Sequence, residues 1–392
     1  MTRNVEAPTT TSWHVQDGRA YRSQPTGSTS AFHQRLPGYA PSKLVRAGSV
    51  AKELGLGQVW VKDESNRLGL PAFKILGASW ASYRALTKLG GWADDEWRTL
   101  EDLARLVAER TSVKKLAAAT DGNHGRAVAR FANLLGLQAA IFVPLGTVQA
   151  RIEAIENEGA TVEVVNGGYG DAVRRSAEEA SDECLVISDT SWPGYQDVPA
   201  DVIEGYSTIF EEAEAQLAEA GGKAPDVVLI QVGVGALAGA AARHYRSKDS
   251  AVRLVCVEPL ASACNLASIQ EGEIVSIPGP HSSIMVGLNC DTPSMIAWPD
   301  VSQGFDSFIA VEDDAARQAM RLYARDGVVA GETGAAGLAG LIELTTGVAK
   351  SAGEALGLDE NSSVLLISTE GATDPEAYAQ IVDGAHKEEA NA

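Results

Sequence analysis

Apolar residues along this chain fall into two alternating patterns. Short apolar-rich runs recur at 59–61, 115–119, 139–143, 161–165, 185–188, 227–232, 254–258 and 364–368. Between them lie longer stretches with helical spacing, at about 75–89, 126–135, 148–157, 171–180, 202–220, 262–270, 313–326 and 335–345. Brief apolar runs bounded by glycine or polar turns read as buried strands, and the longer periodic stretches as helices. Strands alternating with helices predict an α/β fold built on a parallel sheet. Elsewhere the pattern is weaker. Residues 1–40, rich in Ser, Thr, Gly and Pro, read as an irregular arm. Residues 43–54 read as a helix ended by Gly55, residues 92–110 as a helical insertion, and residues 271–310 as looser chain.

Composition narrows the class. At 392 residues the chain has room for two domains. With 32 basic against 52 acidic residues, a net charge of −20, and no basic stripe, nucleic acid is not an expected partner. Four cysteines without a CxxC pair suggest reduced thiols rather than a disulfide scaffold or a metal site. No apolar run approaches the ~20 residues of a membrane span, and the first residues lack an apolar signal core, so a cytoplasmic protein is expected.

The chemistry gathers in loops that follow strands, where open parallel sheets bind ligands. Lys74, in Ala72-Phe73-Lys74, opens a helix, where the macrodipole disfavours a cation. It is either a surface lysine or an amine in a positive, partly desolvated pocket suited to Schiff-base chemistry. Thr120-Asp121-Gly122-Asn123-His124-Gly125 combines close backbone approach with a side-chain donor, although an ordinary capping turn has the same spacing. Gly233-Val234-Gly235-Ala236-Leu237 exposes successive N–H groups that cradle a phosphate, in a pattern that is neither a P-loop nor a good dinucleotide fingerprint. Ser368 places a hydroxyl after the last strand. An amine, an amide donor, a phosphate cradle and a hydroxyl each match one group of pyridoxal 5′-phosphate.

In order, the segments HQRLPGYAPSKL, VWVKDESNRLGLPAFKILGAS, AATDGNHGRAVA, SDTSWPGY, MVGLNCDTPS, GETGAAGLAG and STEGATDP resemble the fold-type II, tryptophan-synthase-β-like pyridoxal-phosphate enzymes. Within them the chain is most similar to the 2,3-diaminopropionate ammonia-lyases. The resemblance implies two open, twisted, mostly parallel sheets flanked by helices. It implies a large cofactor domain of residues 1–78 plus 190–392, a small domain of 79–189 carrying the asparagine loop, and a homodimer. Lys74 would form the internal aldimine and Phe73 would lie beside it. Asn123 would bond the phenolic oxygen, and Gly233, Val234, Gly235, Ala236 and Leu237 would hold the phosphate. Ser368 would face the pyridine nitrogen, and Glu332 would lie nearby or cap the helix that follows. Thr120, Asp121, Gly122, His124 and Asp189 would bind the amino-acid substrate, His124 chiefly bracing the loop.

Where many relatives have Ser-Phe-Lys this chain has Ala72, and where they carry a small or hydroxyl residue it has Asp121. Two acids, Asp121 and Asp189, suit a diamino acid and not a hydroxyamino acid. The implied reaction is β-elimination through an aminoacrylate to pyruvate and two ammonia, with Lys74, Asp121 and Asp189 catalytic. A serine/threonine-type dehydratase or another β-eliminating lyase is the alternative, and a non-catalytic α/β binding protein the remote one. Cys264 and Cys290 fall in segments the family places near the site entrance, so a redox-sensitive pair is conceivable, with two separate thiols the preferred reading.

Overall fold

The structure is a computed structural model that describes residues 2–25, 27–120 and 122–389, with side chains as far as residue 384. The chain packs as two units, one of Met1–Thr26, Pro41–Asn66 and Ile209–Ala392, the other of Gly27–Ala40 and Arg67–Thr208.

The first unit is organised on a seven-stranded sheet. Its spatial order is Ser12–Val15, Ser307–Val311, Arg253–Pro259, Val227–Gln231, Ser363–Ser368, Gln58–Asp63 and Lys43–Arg46. The five inner strands are parallel and the two edge strands antiparallel. Val227–Gln231 and Ser363–Ser368 are buried at every position, as expected where both faces of a parallel sheet are covered. Helices Asp313–Arg325 and Ala336–Thr345 supply much of the core beside these strands, through Met320, Tyr323, Leu338 and Leu341.

Two buried ionic clusters join the separate stretches of this unit. Lys62, with no exposed surface, donates to Glu212 Oε2 (2.6 Å), Gln216 Oε1 (2.8 Å) and the Ser42 carbonyl (2.9 Å). Asp306, equally buried, accepts from Arg246 Nη2 (2.7 Å), Leu254 N (2.8 Å) and Gly18 N (3.1 Å).

The second unit has a four-stranded, all-parallel sheet in the order Thr161–Val165, Gln138–Pro144, Lys115–Ala119, Cys184–Val186. The helix Ile75–Gly90 lies against Asp197–Gly205 so closely that a Cβ on Gly205 would sit 2.6 Å from the Leu76 carbonyl oxygen. An aromatic cluster completes the core: Phe32 stacks on Tyr83 (4.7 Å) and meets Trp80, Trp97 and Phe131 edge-on.

The mostly parallel α/β architecture read from the sequence is present, with several local corrections. The arm is not irregular throughout: Ser12–Val15 is an edge strand, and the helix Ser30–His33 buries Phe32 and His33. The helix expected over 43–54 is a strand, Lys43–Arg46, followed by a shorter helix, Gly48–Leu54, because the first four residues pair with Gln58–Asp63. The helical insertion is confined to Leu100–Arg110, started by a Thr99–Asp102 capping box. The long helix over 202–220 is two helices, Asp197–Gly205 and Ser207–Glu219. Inside the loose stretch runs the buried strand Ser307–Val311. The packing units change over at 26/27, 40/41, 66/67 and 208/209, so Lys74 packs in the same unit as the asparagine loop. No helix among the described residues is long and apolar enough to cross a membrane.

Removing Lys62 strands the Glu212 carboxylate in a dry setting. Lys62→Ala is expected to cost about 3–5 kcal/mol in chemical denaturation. Lys88→Ala, whose ion pair with Asp197 is exposed, should leave the midpoint essentially unchanged.

Candidate active site

Among its parallel strands, each of the two larger sheets reverses its build direction once. In the four-stranded sheet the chain runs outward from Lys115–Ala119 through Gln138–Pro144 to Thr161–Val165, then returns to lay Cys184–Val186 on the other side. In the larger sheet it runs from Val227–Gln231 through Arg253–Pro259 to Ser307–Val311, then returns to insert Ser363–Ser368. Loops leaving the two strands at such a point diverge and open a crevice at their carboxyl ends. Thr120–Gly125 and Asp189 follow the first pair. The 233–237 loop and Ser368 mark the second.

In the smaller unit the crevice centres on Asp189, only 6% exposed. Its Oδ2 accepts from Lys74 Nζ at 2.7 Å, and its Oδ1 from the Tyr169 hydroxyl at 3.1 Å. His124 Nδ1 lies 4.0 Å from Oδ2. Burial is the largest single effect on this carboxyl and acts to raise its pKa. Lys74, His124 and Tyr169 together outweigh it, leaving Asp189 well below the usual carboxylate range. Lys74 is the residue before helix Ile75–Gly90 and lies over the Phe73 ring at 5.5 Å. A hydrogen-bond partner of Lys74 is thus a buried carboxylate.

The surroundings hold Asp189 in place. His124 Nε2 sits 2.8 Å from the Ile187 carbonyl, which can only accept, so that nitrogen carries a proton. Tyr195 donates to the Val186 carbonyl (2.6 Å), accepts from Ser188 N (3.1 Å) and stacks on Trp192 at 4.1 Å. Thr120 Oγ1 accepts from Gly122 N at 2.9 Å, and Asn123 begins helix Asn123–Leu134. Asp121 lies outside the described residues. Gly125 is required by contact: a Cβ there would be 2.3 Å from Thr120 Cγ2 and 2.6 Å from Ile141 Cγ2, both on stiff β-branched side chains.

In the larger unit, Gly235 (φ +107°) turns the chain from strand Val227–Gln231 into helix Ala236–Arg246, whose first turn has no side-chain cap. A Cβ on Gly233 would approach Cys290 Sγ to 2.9 Å. Val234 and Leu237 complete the loop, and Gln231 Nε2 ties it to the neighbouring strand through the Ile367 carbonyl (2.9 Å) and Thr369 Oγ1 (2.9 Å). Ser368 is fully buried, and its hydroxyl has no partner among the described residues. Glu332 is buried as well, but the helix Ala336–Thr345 is preceded by Ala335 and receives no side-chain cap, so Glu332 does not cap it. All four cysteines are buried and none is in a disulfide, and burial pushes the Cys264 thiol far above its ordinary value. Tyr169, Tyr195, Glu258 and Asn265 were absent from the sequence-based site. Only Tyr169, in Gly167-Gly168-Tyr169-Gly170 ahead of a helix, left a local signal.

A primary amine, a glycine turn entering an uncapped helix and a buried hydroxyl in need of a partner fit pyridoxal phosphate by their own chemistry. Residues 35–370 match the family described as "Pyridoxal-phosphate dependent enzyme", and the chain belongs to that family. Within it, the chain is similar to the diaminopropionate ammonia-lyase of Salmonella typhimurium, 35% identical over 370 residues covering 90% of each chain. It is 37% identical over 365 residues to the Escherichia coli enzyme of that name, covering 91% of this chain and 90% of the relative. The solved structure of the E. coli enzyme in complex with D-serine superposes with a TM-score of 0.85 at 32% identity, covering 97% of this chain and 99% of that one.

Gly125→Ala should cost about 1–3 kcal/mol in denaturation because neither neighbour can yield. Gly48→Ala, with nothing within 4 Å, is the neutral control.

Proposed function

We propose that this protein catalyses the pyridoxal-phosphate-dependent β-elimination of 2,3-diaminopropionate, which with one water gives pyruvate and two ammonia. The carrying observation is the Lys74–Asp189 pair: Asp189 is a buried, ionised carboxylate already holding a primary ammonium at 2.7 Å. The β-substituent of diaminopropionate is the same group, whereas serine and threonine offer a neutral hydroxyl there. Near-full-length identity to two diaminopropionate ammonia-lyases supports the same substrate.

The roles follow from the residues. Bound pyridoxal phosphate supplies an electron sink for the charge left at Cα when its proton departs. Lys74 Nζ would hold the cofactor, and the same nitrogen would take the Cα proton of the L-isomer. Asp121 would take that of the D-isomer. Asp189 binds the β-ammonium by a charge-assisted hydrogen bond and orients it for departure. Tyr169 and His124 keep Asp189 aligned. Asn123 would hold the phenolic oxygen, Gly233 to Leu237 the phosphate, and Ser368 the pyridine nitrogen, where a neutral partner would favour elimination over transamination. Phe73 and Glu332 border the cofactor, and Thr120 and Gly122 border the substrate. The family resemblance supports a homodimer working in the cytoplasm.

Purified protein should show a visible cofactor band that Lys74→Ala abolishes. Asp189→Asn should lower kcat/KM on diaminopropionate roughly 10- to 150-fold, the worth of a hydrogen bond to a charged group. Strong serine turnover with none on diaminopropionate would refute the substrate assignment. Asp121→Asn should depress the D-isomer rate far more than the L-isomer rate; equal losses would end the division between the two bases.

A further inference from the structure

We propose that Asn265 and Glu258 are positioning residues that set the glycine loop's grip on the cofactor phosphate. This rests on the assignment of Gly233 to Leu237 as the phosphate loop. Asn265 and Glu258 are fully buried. Glu258 stands near the carboxyl end of strand Arg253–Pro259, and both its oxygens are occupied. Oε1 accepts from Asn265 N (2.8 Å) and Asn265 Nδ2 (2.9 Å), and Oε2 from Leu266 N (2.8 Å). The carboxylate thus satisfies the first amides of helix Cys264–Glu271, which has no side-chain cap of its own.

The same Asn265 amide donates to the Gly233 carbonyl at 2.9 Å. Its orientation is not arbitrary. A carboxylate and a carbonyl both only accept, so the NH2 group must face them.

The consequence for the loop follows from peptide geometry. In a planar trans peptide the N–H points opposite to the C=O. Tying the Gly233 carbonyl to Asn265 therefore aims the Val234 N–H the other way. The next peptide is treated alike, since the Val234 carbonyl accepts from Ser294 N at 2.7 Å, which aims the Gly235 N–H. Two successive carbonyls drawn off to protein donors leave two successive amides presented together, just ahead of an uncapped helix start, and this is an anion nest. The Val234 N–H has no acceptor among the described residues. Burial pushes the Glu258 carboxyl up to about 7 against the pull of its N–H donors, so a costly group is retained here.

The test compares two ligands of the cofactor-free protein: pyridoxal phosphate, and pyridoxal, which has the same ring and aldehyde without the phosphate. Affinities are read from visible absorbance, and the bound phosphate is followed by phosphorus NMR. Asn265→Ala should weaken pyridoxal phosphate roughly 10- to 100-fold, the range for a lost hydrogen-bond partner, while leaving pyridoxal unchanged. Asn265→Ser, which keeps a small donor, should fall between, and carries the comparison if the alanine variant does not fold. An unchanged ratio of the two affinities, or an equal loss of both, overturns the proposal. A wild-type protein that binds neither ligand overturns the cofactor assignment instead.

Discussion

A carboxylate taken out of water must be compensated or it will protonate, and Asp189 is both buried and ionised. That requirement dictates the furniture of the smaller unit's crevice. Lys74 supplies the charge and Tyr169 a hydroxyl, while His124, fixed by the Ile187 carbonyl, turns its other nitrogen toward the acid. Tyr195 then pins the backbone on either side of Ile187, just ahead of Asp189. An acid compensated in this way is a ready receptor for a cation of the same shape as the one it holds. The substrate assignment grows from this site property rather than from the fold, which supports dehydratases and racemases as well.

The second organising fact is topological. Among their parallel strands both larger sheets reverse direction once, and the asparagine loop and the glycine loop leave the strands at those reversals. Each loop is also braced from behind. Gly125 packs against Thr120 and Ile141, and Gly233 is held by Asn265. In both places a small residue at the front depends on a stiff or hydrogen-bonded neighbour at the back.

Much of this was legible in the chain. Inner strands of a parallel sheet are covered on both faces, so they appear as unbroken apolar runs, and Val227–Gln231 and Ser363–Ser368 could hardly be missed. The strand-end loops followed, and with them Lys74, the asparagine loop and Ser368. The edge strands were illegible because one side of each is open: Lys43–Arg46 is four residues with charged ends, and only pairing makes it a strand. The break at Tyr206 comes directly after Gly205, the last residue of helix Asp197–Gly205. It follows from packing, since the Tyr206 ring occupies the space that a Cβ on Gly77 would need. Asp189 could be nominated from sequence but its partners could not, because Tyr169 lies 20 positions away and Lys74 lies 115. Glu258 and Asn265 look like ordinary strand-end and helix residues until the Gly233 carbonyl is brought to them.

The strand order of the larger sheet bears on how this protein is made. Ser363–Ser368, latest in the chain among the described strands, is inserted between Val227–Gln231 and Gln58–Asp63 rather than added at an edge. During synthesis, Gln58–Asp63 must therefore wait for some 300 residues before its inner partner exists. Ser12–Val15 waits nearly as long for Ser307–Val311. At typical elongation rates of about 5–20 residues per second, apolar strand edges stay open for tens of seconds. The smaller unit's sheet lies within one contiguous stretch and can close much earlier. The nascent chain thus carries a finished lysine-bearing unit while the unit with the glycine loop is unfinished, and the hydroxyl of Ser368 is delivered by the last of the described strands to arrive.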